Sequence, residues 1–249
     1  MHLIFSLTVS ESKRLIAKGI AAYPPVRRAL DQGIVAVATG TTNGYVIEEI
    51  SGVPFEKQRY VTGRTLPAGY SGARPSYEVP DFVVSRGERL SVSAKEIIRD
   101  MGPGDVFIKG ANALNYERKQ VGVLIGDRTG GTVGAVLGTI VARRIHLLQP
   151  VGLEKSVPGD LHAAALRLRE IGGKGPTLWV TPGTPFTEIE ALQVLAGVEA
   201  AAVGAGGIGG AEGAVWLAVF GNREELDRAG EILESVRGEP PFLGASENE

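Results

Sequence analysis

The chain has 249 residues, 43% hydrophobic and 22% charged, with a formal net charge of -2; this is the profile of a globular chain with ample core and no electrostatic footprint for nucleic acid. It contains no cysteine, which excludes disulfides, thiolate nucleophiles and Cys-ligated metals and suits a cytoplasmic location. No apolar stretch reaches the length of a membrane span, and the apolar start lacks a basic region, so neither a membrane nor a secretory route is expected.

In chain order, residues 1–9 read as a strand or strand-like lead-in. Between 12 and 32, Leu15, Ile16, Ile20, Val26 and Leu30 fit a helix bent or broken at Pro24-Pro25, with Gly33 as its C-terminal cap. Residues 34–38 are wholly apolar, as a strand buried on both faces of a parallel sheet would be. A helix bearing Tyr45, Val46, Ile47 and Ile50 follows. Residues 58–61 predict a short strand, 62–80 a long irregular loop rich in Gly and Pro, and 79–92 a strand and turn around Arg86-Gly87-Glu88. Ser93 and Glu96 have capping-box spacing ahead of a helix that Gly102-Pro103-Gly104 ends. Then come a buried strand at 105–110, a polar turn at 111–115, a strand at 121–125, a helix of small residues at 130–144, a strand at 146–151 and a helix at 160–171. This alternation predicts an α/β fold, a Rossmann-like, mainly parallel sheet covered by helices.

The C-terminal third changes character. After a linker at 172–176 the order is strand (177–181), helix (185–195), strands (198–203 and 214–220), helix (223–236, capped by Asn222 with Glu225) and a strand or tail. That βαββαβ order is the ferredoxin-like plan. The expected division is an α/β ligand-binding domain at 1–172 and a ferredoxin-like α+β subdomain at 173–249, frayed from 244 onward.

Chemistry is expected where strands give way to glycine-rich turns, because ligands of parallel sheets gather at the carboxyl ends of the strands. Gly40, Thr41, Thr42, Asn43 and Gly44 form such a turn: the glycines allow close backbone approach, the threonines supply hydroxyls, and a helix start offers free N–H groups to a phosphate or carboxylate. The same turn also reads as a capped helix start without ligand. Lys109 ends a second buried strand, followed by Gly110, Asn112 and Asn115, and would aim an ammonium into the same crevice; its alternative is a solvated lysine. Gly131 and Thr132, after Asp127-Arg128, make a third anion-friendly helix start, explained nearly as well by helix packing. Gly204, Gly206 and Gly209 satisfy GxGxxG, but a dinucleotide fingerprint must open a helix and residues 211–220 read as a strand. His2, His146 and His162 show no metal spacing, so neither a metal nor a resident cofactor is expected.

Gly-Thr-Thr-Asn-Gly at the first turn, Ile-Lys-Gly-Ala-Asn-Ala-Leu after a later strand and the ferredoxin-like appendage resemble the ribose-5-phosphate isomerase A group and its superfamily of glucosamine-phosphate deaminases, CoA transferases and DeoR-type effector domains. The resemblance implies that Gly40, Thr41 and Thr42 match the isomerases' phosphate-holding Gly-Thr-Gly-Ser-Thr turn, and Lys109, Gly110, Ala111 and Asn112 their Lys-Gly-Gly-Gly-Gly loop. Their Asp-Gly-Ala-Asp-Glu segment is missing; Asp100-Met-Gly-Pro-Gly-Asp105 stands in its place, with Asp105 before the strand and so at the wrong sheet edge. Proton transfer between two carbons needs a positioned carboxylate, so isomerase activity does not carry over. Glu117, Asp127 and Glu154 remain as acids, each also readable as a surface charge, and Glu154 is best placed.

Two functions follow. One is an enzyme acting on a phosphorylated or otherwise anionic small metabolite, with Lys109 and Glu154 as catalytic residues. The other is a non-catalytic metabolite sensor. A DNA-binding module of its own is not expected, since about 33 residues precede the first core strand, without basic excess. The many small residues suit a homo-oligomer.

Overall fold

Apolar runs and capping signals account for most of the elements. The structure, a computed structural model, describes residues 1–72, 74, 76–170 and 173–243. Pro75 of the long loop, Ile171 and Gly172 at the expected helix end and linker, and the tail at 244–249 lie outside the described residues.

β1 (His2–Leu7) runs into α1 (Val9–Ala22), started by a capping box of Thr8 and Glu11. Tyr23 closes α1 and Pro24 opens α2 (Pro24–Gln32), since proline fits a first helical turn but cannot continue one. β2 (Ile34–Val37) and α3 (Thr41–Ser51) follow. β3 (Phe82–Ser85) and β4 (Glu88–Leu90) form a hairpin, then come the single-turn α4 (Ala94–Ile97) and β5 (Val106–Ile108). β6 (Ala113–Asn115), β7 (Gln120–Ile125), α5 (Gly131–Ala142), β8 (His146–Pro150) and α6 (Leu161–Glu170) complete the middle. β9 (Thr177–Thr181), β10 (Thr184–Phe186), α7 (Glu188–Ala196), β11 (Glu199–Ala205), β12 (Val215–Phe220) and α8 (Arg223–Glu234) end the described chain.

The fold is mixed α/β. A six-stranded sheet has the order β10-β8-β5-β2-β3-β4, of which β10, β8, β5 and β2 are mutually parallel and β3 and β4 antiparallel. Two three-stranded antiparallel sheets, β1-β12-β11 and β6-β7-β9, flank it. Val35, Ala36 and Val37 of β2 and Val106, Phe107 and Ile108 of β5 are all fully buried, consistent with cover on both faces. α1 packs against both α3 and α7. One core is continuous from Leu7 through α1, β2, β5 and β8 to Leu217 and Leu233, across the boundary expected at 172–173. No described helix is long and apolar enough to cross a membrane.

Four expectations are corrected. The ferredoxin-like subdomain is not formed, because the strands of 177–220 are distributed among three sheets: β9 finds an antiparallel partner in β7, β10 joins the parallel strands beside β8, and β12 pairs with β1 as well as β11. The strand expected at 58–61 is a 3-10 turn (Lys57–Arg59) and an isolated bridge, Tyr60 to Tyr77. Tyr60 instead serves as a strut, its hydroxyl donating to Val37 O and accepting from Phe82 N at 3.0 Å. Residues 113–115 make β6 rather than part of a turn. The helix expected from 185 begins at Glu188, since Pro185 and Phe186 belong to β10, an edge strand where proline leaves no interior ladder bond unmade. Gly206 lies in the β11–β12 connection, its N–H donating to Ala214 O at 2.8 Å, and no helix opens there.

Gly19 marks the closest α1–α7 approach: a Cβ there would lie 2.6 Å from the Cα and Cβ of Ala191. Gly19→Ala is expected to destabilise by about 1–3 kcal/mol through overpacking. Gly230→Ala in α8, where a Cβ meets nothing within 4 Å, should gain about 0.5–1 kcal/mol from helix propensity. Urea unfolding of both variants checks the contrast.

Candidate functional site

The parallel register lines up four strand ends. Val37, Ile108, Leu148 and Thr184 are successive partners across β2, β5, β8 and β10. The ladder continues one step, with Ala38 N donating to Ile108 O at 2.9 Å, Lys109 N to Leu148 O at 3.1 Å and Val151 N to Phe186 O at 3.1 Å. The segments beyond, at 38–43, 109–111, 151–155 and 187–188, therefore share one edge. α3 begins there on Gly40 with no side-chain cap. Asn43, fully buried, donates through Nδ2 to Ala38 O at 2.5 Å, while its Oδ1 has no partner. A Cβ on Gly110 would stand 3.7 Å from that oxygen and 3.8 Å from Pro150 O, so the turns at 40–43 and 109–111 meet.

Charge gathers at this edge. Lys109 is half-buried, and with Phe107, Leu147, Gln149 and the apolar side of α5 it lines a void of only about 10 Å³. Such a void holds at most one water-sized probe, so any larger ligand must reach Lys109 from the sheet edge. Burial, with Lys155 adding like-charge repulsion, lowers the Lys109 ammonium to about 8. No hydrogen bond or carboxylate partner of that ammonium occurs among the described residues. Lys155, beyond β8, donates from Nζ to Ala111 O at 2.9 Å and so ties the β8 end to the β5 end. Lys13, the fifth residue of α1, is also lowered to about 8, by burial and Lys155 against the opposing pull of Glu154.

Two carboxyls also stand near one another at this edge, and Glu154 acts on Lys13. Glu154 curls over Gly152, its Oε2 lying 1.8 Å from where a Cβ of residue 152 would be, and that buried oxygen has no hydrogen-bond partner. Glu188, the first residue of α7, is fully buried and accepts from Leu153 N at 3.0 and 3.3 Å. Burial pushes Glu188 up to about 7, and the nearby Glu154 charge adds to this, against hydrogen bonds from Leu153 and Ser12. The edge thus holds three amines, a carboxyl pair and a free helix start, the ingredients for anion binding and proton transfer.

Of the residues expected from sequence, Gly40, Thr41, Thr42, Asn43, Lys109, Gly110 and Glu154 come together at this edge. Others do other work. Gly44 admits Lys57, whose Cβ and Cγ would lie 2.9 Å from an added Cβ. Asn112 accepts from Leu124 N at 3.0 Å, and Asn115 bonds Gly159 O and Arg118 N, so both carboxamides hold β6 and its turn rather than facing the crevice. The α5 start at Gly131 and Thr132 is filled by the chain's own Asp127, which accepts from Gly131 N at 3.2 Å and Thr129 N at 2.7 Å. Asp105 lies at the opposite edge, as expected, accepting from Ile34 N and Gly102 N at 2.7 Å each.

Sequence reading missed Lys13, Lys155 and Glu188. Glu188 sits in a helix's first turn and Lys13 just beyond one, where charge ordinarily means solvent or capping. The available signal was the buried flank of Glu188, Pro185-Phe186-Thr187.

Folded Glu188 keeps its proton up to about pH 7, whereas an unfolded glutamate loses it near the ordinary 4.5. The folded chain binds more protons in that window, so stability should fall as pH rises from 4.5 to 7. Glu188→Gln, which cannot ionise, is expected to melt above wild type at pH 8 and to lose that advantage toward pH 4.5, as calorimetric scans across pH would show. Compared with known family models, characterised proteins and solved structures, the chain matches none.

Proposed function

We propose that this protein binds a small phosphorylated or otherwise anionic metabolite, of sugar-phosphate type, at the carboxyl edge of the parallel strands, and acts on it as an enzyme. The anion sits at the uncapped start of α3, against Gly40, Thr41 and Thr42, and Lys109 meets the reacting end. The observation that carries this reading is the Lys109 ammonium, half-buried near Lys155 with no carboxylate or hydrogen-bond partner among the described residues. Buried charges are ordinarily paired, and an anionic ligand supplies the partner. Four parallel strands whose following turns share one edge support the Rossmann-like description. The likeness of residues 40–42 and 109–110 to the ribose-5-phosphate isomerase turns supports a divergent place in that superfamily.

The alternative, a sensor without chemistry, draws on the missing acidic segment of the isomerases. Glu188 weighs against it, because it places a carboxyl whose proton affinity is raised by burial at the same edge.

Calorimetry with a panel of phosphorylated metabolites tests the reading. Lys109→Ala is expected to weaken anion binding by about 1–3 kcal/mol, the range for loss of a charge-assisted hydrogen bond, and the loss should shrink at high salt as the open side of the site is screened. If no anion in the panel binds, or if Lys109→Ala leaves affinity unchanged, the proposal fails.

A further inference from the structure

We propose that Lys109 is a nucleophile that forms an imine with the carbonyl carbon of an anion-bearing aldehyde or ketone. The inference rests on the anion-binding reading above and names the reacting group of the ligand.

The three edge lysines are not equivalent. Lys155 is engaged with Ala111 O, and Lys13 faces Glu154 and the Phe242 ring, 5.4 Å from its centroid. Lys109 alone among them has neither an acceptor nor a carboxylate. An amine becomes nucleophilic when it is desolvated or set beside another cation, and Lys109 meets both conditions: α5 side chains wall its stem, and Lys155 stands close by. With an ammonium lowered to about 8, about a tenth of Lys109 is free amine at neutral pH, against roughly one part in three thousand for an ordinary lysine.

The chemistry balances without oxidant or reductant. The Lys109 lone pair forms the C–N bond while the carbonyl π electrons move to oxygen. One nitrogen proton passes to that oxygen, giving a neutral carbinolamine. The carbinolamine hydroxyl then takes a proton from solvent and leaves as water, while the nitrogen lone pair closes the C=N bond as a protonated imine.

The test uses the full chain and two probes, dihydroxyacetone phosphate, which has a ketone, and glycerol 3-phosphate, which has none. Each is followed by calorimetry, and the ketone is also incubated with borohydride, which reduces an imine to a stable amine, before peptide mapping by mass spectrometry. The expected result is binding of both probes and a single adduct on Lys109, absent in Lys109→Arg. Mapping the wild-type chain alone still decides the matter if a variant fails to fold. Binding of both phosphates with no adduct, or with adducts scattered over exposed Lys95, Lys119 and Lys174, overturns the imine and leaves the anion site standing. Absence of both binding and adduct overturns the two readings together.

Discussion

The parallel pairing of β2, β5, β8 and β10 is the constraint on which the rest depends. In a parallel ladder neighbouring strands stop at the same side, so whatever follows each one is delivered to a common edge. Here the sequence places Gly40 and Asn43 after the first, Lys109 after the second, Glu154 and Lys155 after the third and Glu188 after the fourth. These residues span 148 positions of sequence between Gly40 and Glu188, yet only backbone hydrogen bonding is needed to gather them. The sheet edge also explains the unusual protonation. Helices on both faces exclude water from the strand ends, and groups left there lose hydration without gaining full pairing, which favours the neutral forms of Lys109 and Glu188.

A second charge cluster, on the other side of α1, shows what complete pairing looks like. Arg14 bonds Glu48 at 2.6 Å, Glu49 at 2.9 Å and Glu239 at 2.8 Å and lies 4.8 Å over the Tyr45 ring, while Lys57 reaches Glu48 at 2.7 Å. The pairs hold α1, α3 and the chain beyond α8 together. Lys13 and Arg14 are neighbours in sequence, but one residue turns a helix by about 100°, so the two cations serve different faces. The contrast argues that the unpaired amines are not a general consequence of burying charge in this fold. Where the role is architectural, each cation has its carboxylates.

How far the fold was legible follows from the range of the signals involved. Ser93 with Glu96 and Asn222 with Glu225 announce helix starts that form, because a capping box is a contact over three residues. Apolar runs at 34–37 and 106–108 announce buried strands for a similarly local reason. Partner choice is not local. The order of elements after residue 177 suits a ferredoxin-like sheet, and nothing nearby says that β12 pairs with a strand more than two hundred residues earlier. The site divides along the same line. Lys109 and Gly40 were legible because each ends its own apolar strand; Asn112 and Asn115 were misread because their carboxamides are engaged with backbone at Leu124 and Gly159, which the sequence does not bring near. Lys13 and Glu188 were invisible, since their meaning depends on which helices start at the edge.

Gly152 shows how backbone chemistry enters the site as well. Its φ of -74° is one that any residue can adopt, so backbone strain does not explain a glycine there. Space does, because the carboxylate of Glu154 occupies the position a Cβ would take. A side chain at 152 would displace Glu154 toward solvent, where its charge would be screened and its hold on the Glu188 proton weakened. The missing Cβ thus lets Glu154 lie back against its own backbone, and the raised proton affinity of Glu188 depends in part on an atom that the sequence leaves out.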